Sequence, residues 1–168
     1  MHPHIALHEA YVRGDLEAVR EFYDDPDFPN CRGPRGVGEI VLEYAIYWSP
    51  LPFIRRLLEL GVEVNYSDHA GFPCLIAALS TTRADKLELL ELLLARGADI
   101  EQRGHNDYTP LHWAAGHGDT ESLELLLRCG ADVNARTRID EYETPLEVAE
   151  RAGQRDAAER LRRRSPNS

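Results

Sequence analysis

The stretch TPLHWAAGHGDTESLELLLRCGADVNA, from Thr109 to Ala135, contains the signals for two short helices and the turn between them. Thr109 occupies a helix N-cap position, and the proline after it falls where a missing N–H costs no hydrogen bond. Gly118 permits the turn into a second helix, which we expect over residues 120–128. Gly130 then ends that helix, because glycine adopts the left-handed backbone conformation at little cost. The stretch therefore predicts a helix–turn–helix unit.

The same pattern recurs along the chain. Five leucine–alanine pairs, each with the alanine three residues after the leucine, recur at a regular period, and their leucines are 35, 33, 36 and 35 residues apart. A second group of apolar residues follows each pair at helical spacing. The pairs are Leu7/Ala10, Leu42/Ala45, Leu75/Ala78, Leu111/Ala114 and Leu146/Ala149. A repeat of this period indicates a stacked array, in which each unit buries its apolar face against its neighbours.

The repeat resembles the ankyrin repeat, and the resemblance extends over about residues 4–164 as five units. It implies an all-α repeat solenoid of stacked helix–turn–helix units with short hairpin loops. In this family the histidine of the Thr-Pro-Leu-His sequence is structural and hydrogen-bonds between neighbouring loops, which assigns that role to His112. We predict one domain over residues 1–168, with repeats at about 4–37, 38–70, 71–106, 107–141 and 142–164 and a disordered tail at 165–168.

Several units depart from the pattern. Ile40 and Pro73 stand where the best unit has its capping threonine, so two helices begin without a side-chain acceptor, at a cost of about 1 kcal/mol each. Three connections are also longer than the standard one. They are residues 24–37, 80–90 and 136–143. Extra length in surface connections costs little, and binding specificity is often added there.

Composition and charge exclude several classes of function. The chain has 168 residues and a formal net charge of −10, from 19 basic and 29 acidic side chains. This balance disfavours nucleic acids, because phosphate recognition needs a basic face, and it disfavours anionic membrane surfaces. We expect no membrane span and no signal peptide, since no apolar segment has the required length. Three scattered cysteines favour a reducing, cytoplasmic setting.

The sequence contains no motif that predicts catalysis. We find no phosphate-binding glycine loop, no G-x-S-x-G and no H-E-x-x-H. His2, His4 and His8 cluster near the N-terminus, but no cysteine or carboxylate completes a metal site at the right spacing. Cys74 lies at a helix start, which can lower a thiol pKa, although we favour a small, half-buried structural residue. We therefore predict no catalytic residue, cofactor or metal, and keep a cysteine- or histidine-dependent enzyme as an alternative.

The resemblance also predicts a binding surface. Partners of ankyrin proteins usually lie along the concave face, which consists of the hairpin tips and the residues after the Ala-Ala pair of each first helix. Large aromatic side chains occupy such positions here, although the fold does not require them, and Tyr and Trp are frequent at binding hot spots. Tyr44 and Trp113 are compatible with packing as well as with binding. The predicted partner-binding residues are Tyr47, Trp48, His69, Phe72, His105, Asn106, Tyr108, Trp113 and His117.

We therefore expect a protein–protein interaction module, monomeric on its own, with aromatic anchors inside an acidic rim. Residues 1–150 carry 13 basic and 27 acidic side chains, which favours a basic partner. A scaffold or adaptor, and an immunity or inhibitor protein that neutralises a basic toxin or enzyme, both fit this description. The arginine-rich segment 160–164 is interpreted as the polar cap of the last helix. The acids at or near the tips are Asp68, Asp107, Asp140, Glu141 and Glu143.

Overall fold

The computed structural model of the chain describes residues 3–33, 39–66, 72–139 and 142–164. Within these residues the chain forms ten α-helices, and the predicted tail at 165–168 lies outside them. The helices are α1 (Pro3–Arg13), α2 (Leu16–Tyr23), α3 (Val41–Trp48), α4 (Leu51–Glu59), α5 (Cys74–Ser80), α6 (Lys86–Ala95), α7 (Pro110–His117), α8 (Thr120–Arg128), α9 (Pro145–Arg151) and α10 (Arg155–Arg164).

The helices form pairs, and the pairs stack side by side. The first helices contact one another in the order α1, α3, α5, α7 and α9, while α8 contacts both α6 and α10. The leucine–alanine pairs of the repeat are buried in this stack, as Leu42, Ala45, Leu111 and Ala114 illustrate. The core is therefore continuous along the array, which confirms the predicted all-α repeat solenoid.

The helix starts differ as the sequence predicts. Thr109 Oγ1 accepts the His112 N–H at 3.4 Å, and His112 Nδ1 accepts the Thr109 N–H at 3.3 Å. Thr144 and Glu147 form the equivalent capping box at the start of α9. The N-cap residue of α3, Ile40, makes no side-chain capping hydrogen bond, and neither does that of α5. The second and third pairs therefore lack a stabilising contact that the last two pairs have.

Hydrogen bonds also link successive connections, which are the segments that follow the second helix of each pair. Between two successive pairs of units, an asparagine side chain donates to the carbonyl of a glycine in the next unit. The same side chain accepts the backbone N–H of the residue two positions after that glycine. Glu101 occupies the following step, where its carboxylate accepts the Asp132 N–H at 2.8 Å and burial raises its pKa. The asparagine contacts are Asn30 with Gly61 and Glu63, and Asn65 with Gly97 and Asp99, at 2.7 to 3.1 Å.

The last helix presents a polar outer surface. Helix α10 buries Ala157, Ala158 and Leu161, while the four arginines of its second half lie outside and form ion pairs. The pairs of Arg160, Arg162 and Arg164 join α10 to α8 and α9, in agreement with a capping role for the arginine-rich segment. None of the described helices is long and apolar enough to cross a membrane. The pairs are Arg160 and Arg164 with Glu124, Arg162 with Glu150, and Arg163 with Glu159.

Candidate protein-binding surface

Helix α3 ends in two exposed aromatic side chains. Tyr47 is 37% exposed and Trp48 is 53% exposed, although the other face of α3 already buries Leu42 and Ile46. The hydroxyl of Tyr47 lies 3.0 Å from Ser80 Oγ, at the end of the next first helix. The core of the array therefore does not account for either ring being at this position.

Trp48 belongs to an aromatic cluster that joins α1 and α3. The His8 ring meets Trp48 edge-on with centroids 5.0 Å apart, and its Nδ1 lies 2.9 Å from the Tyr44 hydroxyl. Tyr44 in turn packs against buried Tyr11, with centroids 4.9 Å apart. The structure thus gives Tyr44 a packing role, and the cluster holds the exposed indole against a fixed support.

A second aromatic group lies on α7 and the connection before α5. Trp113 stacks on His117 with centroids 4.6 Å apart, and it meets Phe72 edge-on at 5.4 Å. His117 is exposed and its Nδ1 donates to the Trp113 carbonyl oxygen at 2.9 Å. Phe72 and Trp113 are partly buried against the core. Trp113 therefore packs on both sides while part of its ring remains accessible.

The third group is the tip at residues 104–108. His105 and Asn106 are exposed at its end, and Asn106 has a positive φ of 59°. Tyr108 stacks on His112 with centroids 5.5 Å apart and accepts a hydrogen bond from Arg151 at 2.9 Å. His112 is fully buried, and its Nε2 donates to the carbonyl of the next connection at 3.0 Å. This contact confirms that His112 bridges neighbouring loops.

Eight of the nine predicted residues thus lie in three groups on the first helices and the connections that precede them. Side-chain contacts join the members of the second group directly. The groups are Tyr47 with Trp48, Phe72 with Trp113 and His117, and His105 with Asn106 and Tyr108. His69 lies outside the described residues.

The structure corrects the prediction of an acidic rim at Asp107 and Glu143, the two predicted tip acids that it describes. The side chain of Asp107 is only 10% exposed and pairs with Arg103 and Arg138, whose guanidinium groups hold its pKa below the ordinary value. Glu143 is 14% exposed and pairs with Arg151. The side chains of Arg138 and Arg151, which are 72% and 53% exposed, face solvent here in place of the carboxylates that they cover. The other three predicted tip acids lie outside the described residues.

The sequence analysis missed two exposed apolar residues on the connection between α8 and α9. Ile139 is 49% exposed and Tyr142 is 61% exposed. Both lie in a connection whose tip the ankyrin resemblance associates with binding, but the sequence analysis selected only acidic side chains there. The extra length of this connection was the available signal, because added residues must leave the standard path of the chain.

The structure also describes the Cys74 thiol and the side chains that could bind a metal ion. Cys74 is fully buried, not half-buried as predicted, because its position at the start of α5 faces the core. Burial raises the pKa of its thiol to about 12, which disfavours the reactive thiolate. No three His, Cys, Asp or Glu side chains are grouped as metal ligands in the part of the chain that is described.

The chain was also compared with known proteins. Residues 74–167 match the family model "Ankyrin repeats (3 copies)", and residues 42–85 match "Ankyrin repeats (many copies)". Over 149 residues the chain is 33% identical to Tyrosine-protein kinase Shark of Drosophila melanogaster, which covers 88% of this chain. It is 36% identical over 99 residues to Neurogenic locus notch homolog protein 1 of Mus musculus, and 33% identical over 98 residues to Ankyrin repeat and SOCS box protein 5 of Oryctolagus cuniculus.

Each of the last two matches covers 58% of this chain. The chain spans only 15% of the length of the kinase, 4% of the notch protein and 28% of the SOCS box protein. The similarity is therefore confined to the repeats. Because the first family model alone covers more than half of the sequence, the chain belongs to the ankyrin repeat family.

Proposed function

We propose that this ankyrin array is a non-catalytic module that binds a protein partner along the first helices and the hairpin tips, the concave face of the family. The observation that carries the proposal is the exposure of Trp48, which is 53% exposed at the end of a helix whose core is complete without it. Ankyrin repeats generally mediate protein–protein interaction, and the three aromatic groups lie on the elements that form this face.

The support under Trp48 favours a binding role. His8 contacts the indole edge-on, and the His8 ring is itself held by the Tyr44 hydroxyl. A side chain that is already ordered loses little conformational entropy when a partner covers it. Burial of its remaining apolar surface then contributes to affinity at about 25 cal/mol per Å². Tyr47, beside it, donates its hydroxyl proton to Ser80 Oγ, so its oxygen is left to accept a hydrogen bond from the partner.

We further propose that the partner presents a basic surface to the body of the array. The acidic excess of residues 1–150 remains large even though Asp107 and Glu143 are paired with arginines. Opposite charge accelerates association and disfavours wrong partners more than it sets affinity. The aromatic groups would then provide most of the binding free energy, and the opposite charges would increase the association rate.

The test begins with the protein that co-purifies with the wild-type chain from its native host, produced afterwards as a pure protein. Truncating a hot-spot residue costs about 2 kcal/mol or more, so Trp48→Ala should weaken binding about 30-fold. The loss should come mainly from faster dissociation. Leu60→Ala is the matched control, because Leu60 is 45% exposed but lies at the end of α4, a second helix.

The Leu60→Ala variant should bind as the wild type does. If Trp48→Ala folds normally and keeps full affinity, the concave face is not the binding surface. If Leu60→Ala alone weakens binding, the partner binds the second helices and the assignment of the face is reversed.

A further inference from the structure

We propose that Arg83 is a positioning residue for the partner-binding surface, because it holds the end of α3 from which Tyr47 and Trp48 project. The proposal rests on the proposed function for the existence of a partner, but its first test needs no partner. It gives a role to the long connection between α5 and α6, whose extra length the repeat pattern does not require.

The turn between the two helices of a unit has a common hydrogen-bond pattern in the first, fourth and fifth units. A glycine with a positive φ donates its N–H to the carbonyl three residues before it, and the next residue donates its N–H to the alanine of the repeat. These bonds satisfy carbonyls that the end of the first helix leaves without a partner. The donors are Gly14 and Asp15, Gly118 and Asp119, and Gly153 and Gln154, at 2.8 to 3.2 Å.

Helix α3 cannot end in this way. Ser49 stands at the glycine position with an extended backbone, φ −98° and ψ 154°, and Pro50 after it has no N–H to donate. The one remaining donor, the Ser49 N–H, bonds to the Ala45 carbonyl at 2.8 Å. The Ile46 carbonyl therefore receives an N–H from neither of these two residues.

Arg83 supplies the missing donor. Its Nη1 donates to the Ile46 carbonyl at 2.9 Å, across the boundary between the second and third units. The Asp85 carboxylate holds the guanidinium through Nε and Nη2, and these bonds lower the pKa of Asp85. The Arg83 side chain is only 15% exposed. A guanidinium fixed in this way is a strong donor, and its charge is favourable beside the last carbonyls of a helix.

The length of the connection brings Arg83 to this position. Residues 81–85 separate α5 from α6, whereas two residues separate the helices of the first, second and fourth units. The start of the connection is fixed, because Thr81 Oγ1 donates to the Ala78 carbonyl at 2.7 Å. The end of α5 also contacts α3, where the Tyr47 hydroxyl donates to Ser80 Oγ. The third unit thus holds both the Tyr47 ring and the backbone one residue before it.

The expected consequence is that Trp48 is already in place when a partner arrives. His8 supports the indole from α1, and Arg83 fixes the carbonyl two residues before it. Without Arg83, the end of α3 would lose a hydrogen bond to a charged donor and would open more often. Only molecules with this end formed would then bind, which lowers the apparent affinity and slows association. Loss of a direct contact acts mainly on dissociation instead.

Arg83→Ala tests the proposal first without a partner. Amide hydrogen exchange of the Ser49 N–H, which reports opening at the end of α3, should become at least about tenfold faster, while exchange in α8 stays unchanged. Arg83→Lys keeps a donor but loses the fork that Asp85 holds, so its rate should be intermediate. Unchanged exchange at Ser49 in Arg83→Ala would overturn the proposal.

Arg55→Ala is the matched control. The Arg55 guanidinium also joins the second and third units, by an ion pair with Glu88, but it lies on the second helices and away from the end of α3. Its removal should leave the exchange of the Ser49 N–H unchanged. Faster exchange in this variant as well would overturn the specific role of Arg83, because any weakening of the contact between the two units would then suffice.

The turn itself provides a second test. The double substitution Ser49→Gly with Pro50→Asp introduces the residue pair found at 14–15 and 118–119, which supplies both backbone donors. In this background Arg83→Ala should have little effect on amide exchange at position 49. An equal effect in both backgrounds would show that Arg83 does not replace the backbone donor, and the proposal would fail.

Kinetics with the purified partner separate this proposal from the proposed function. Arg83→Ala should weaken binding about fivefold through slower association, whereas Trp48→Ala should act through faster dissociation. If Trp48→Ala weakens binding and Arg83→Ala does not, Arg83 is not a positioning residue and the concave-face proposal stands. Faster dissociation in Arg83→Ala would identify a direct contact and overturn the positioning role. If neither variant weakens binding, both proposals are overturned.

Discussion

His112 shows how one side chain can complete two structural elements. Its Nδ1 accepts the Thr109 N–H at the start of α7, and its Nε2 donates to the Glu143 carbonyl in the next connection. Only the neutral imidazole with its proton on Nε2 makes both bonds, since a protonated Nδ1 cannot accept. Burial disfavours the charged imidazolium and so lowers the pKa of His112.

Stability should therefore depend on pH through this residue. The pKa of His112 is lower in the folded chain than in the unfolded one, so the unfolded chain binds more protons below about pH 6.5. The contribution of neutral His112 should be fully present above that pH and should be lost as the pH falls. Urea unfolding at pH 7.5 and 5.5 measures the loss, and His112→Gln should show a smaller one. Equal losses in both proteins would contradict the assignment.

The contribution of Glu101 to stability should depend on pH in the opposite direction. Burial raises its pKa, so the ionised carboxylate destabilises the fold and its contribution worsens as the pH rises through the folded pKa. Glu101→Gln keeps an acceptor for the Asp132 N–H and removes the charge. We expect a higher melting temperature at pH 7 and a smaller gain at pH 4. Glu91→Gln, on the exposed surface of α6, should produce neither change.

At the scale of elements, the helix caps should determine local protection. The His112 N–H is bonded to Thr109 Oγ1 and the Glu147 N–H to Thr144 Oγ1. The Glu43 and Ile76 N–H groups occupy the same position in α3 and α5, where no side chain caps the helix. Amide hydrogen exchange should be slower at His112 and Glu147 than at the other two. Faster exchange at the capped positions would show that the caps do not control opening.

The turn between α7 and α8 offers a second test at this scale. Gly118 and Gly130 both have a positive φ, but an added Cβ would overlap the Gln154 side chain only at Gly118. Gly130→Ala should cost about 1–2 kcal/mol from the backbone alone, and Gly118→Ala should cost more. Denaturant unfolding measures both values. Adding Gln154→Ala to Gly118→Ala should recover the excess; if it does not, the overlap is not the cause.

At the scale of the whole molecule, net charge should set the rate of association. The chain carries −10 overall, and the acid excess lies in residues 1–150. If the partner is basic, raising the ionic strength from about 0.02 to 0.15 M should slow association and leave dissociation nearly unchanged. Stopped-flow mixing of the two pure proteins separates the rates. Association that does not change with salt would exclude charge steering.

The amino-acid sequence alone determined the repeat, the helix pairs and the helix caps. These features follow from local signals, such as Thr-Pro before Leu111 and glycine after α8, and from the spacing of apolar residues, which reports the face that each helix buries. The exposed end of α3 was also predictable, because Tyr47 and Trp48 fall outside the apolar pattern.

Only the tertiary structure decided which side chains are buried or covered and which remain exposed to a partner. Asp107 is covered by Arg138, 31 residues away, Cys74 faces the core, and Tyr142 projects from its tip at a positive φ. Such outcomes depend on which side chains of adjacent units meet at the connections. The repeat pattern specifies how the helices stack but leaves the connections free to vary, so the contacts made there could not be deduced from the spacing of the landmarks.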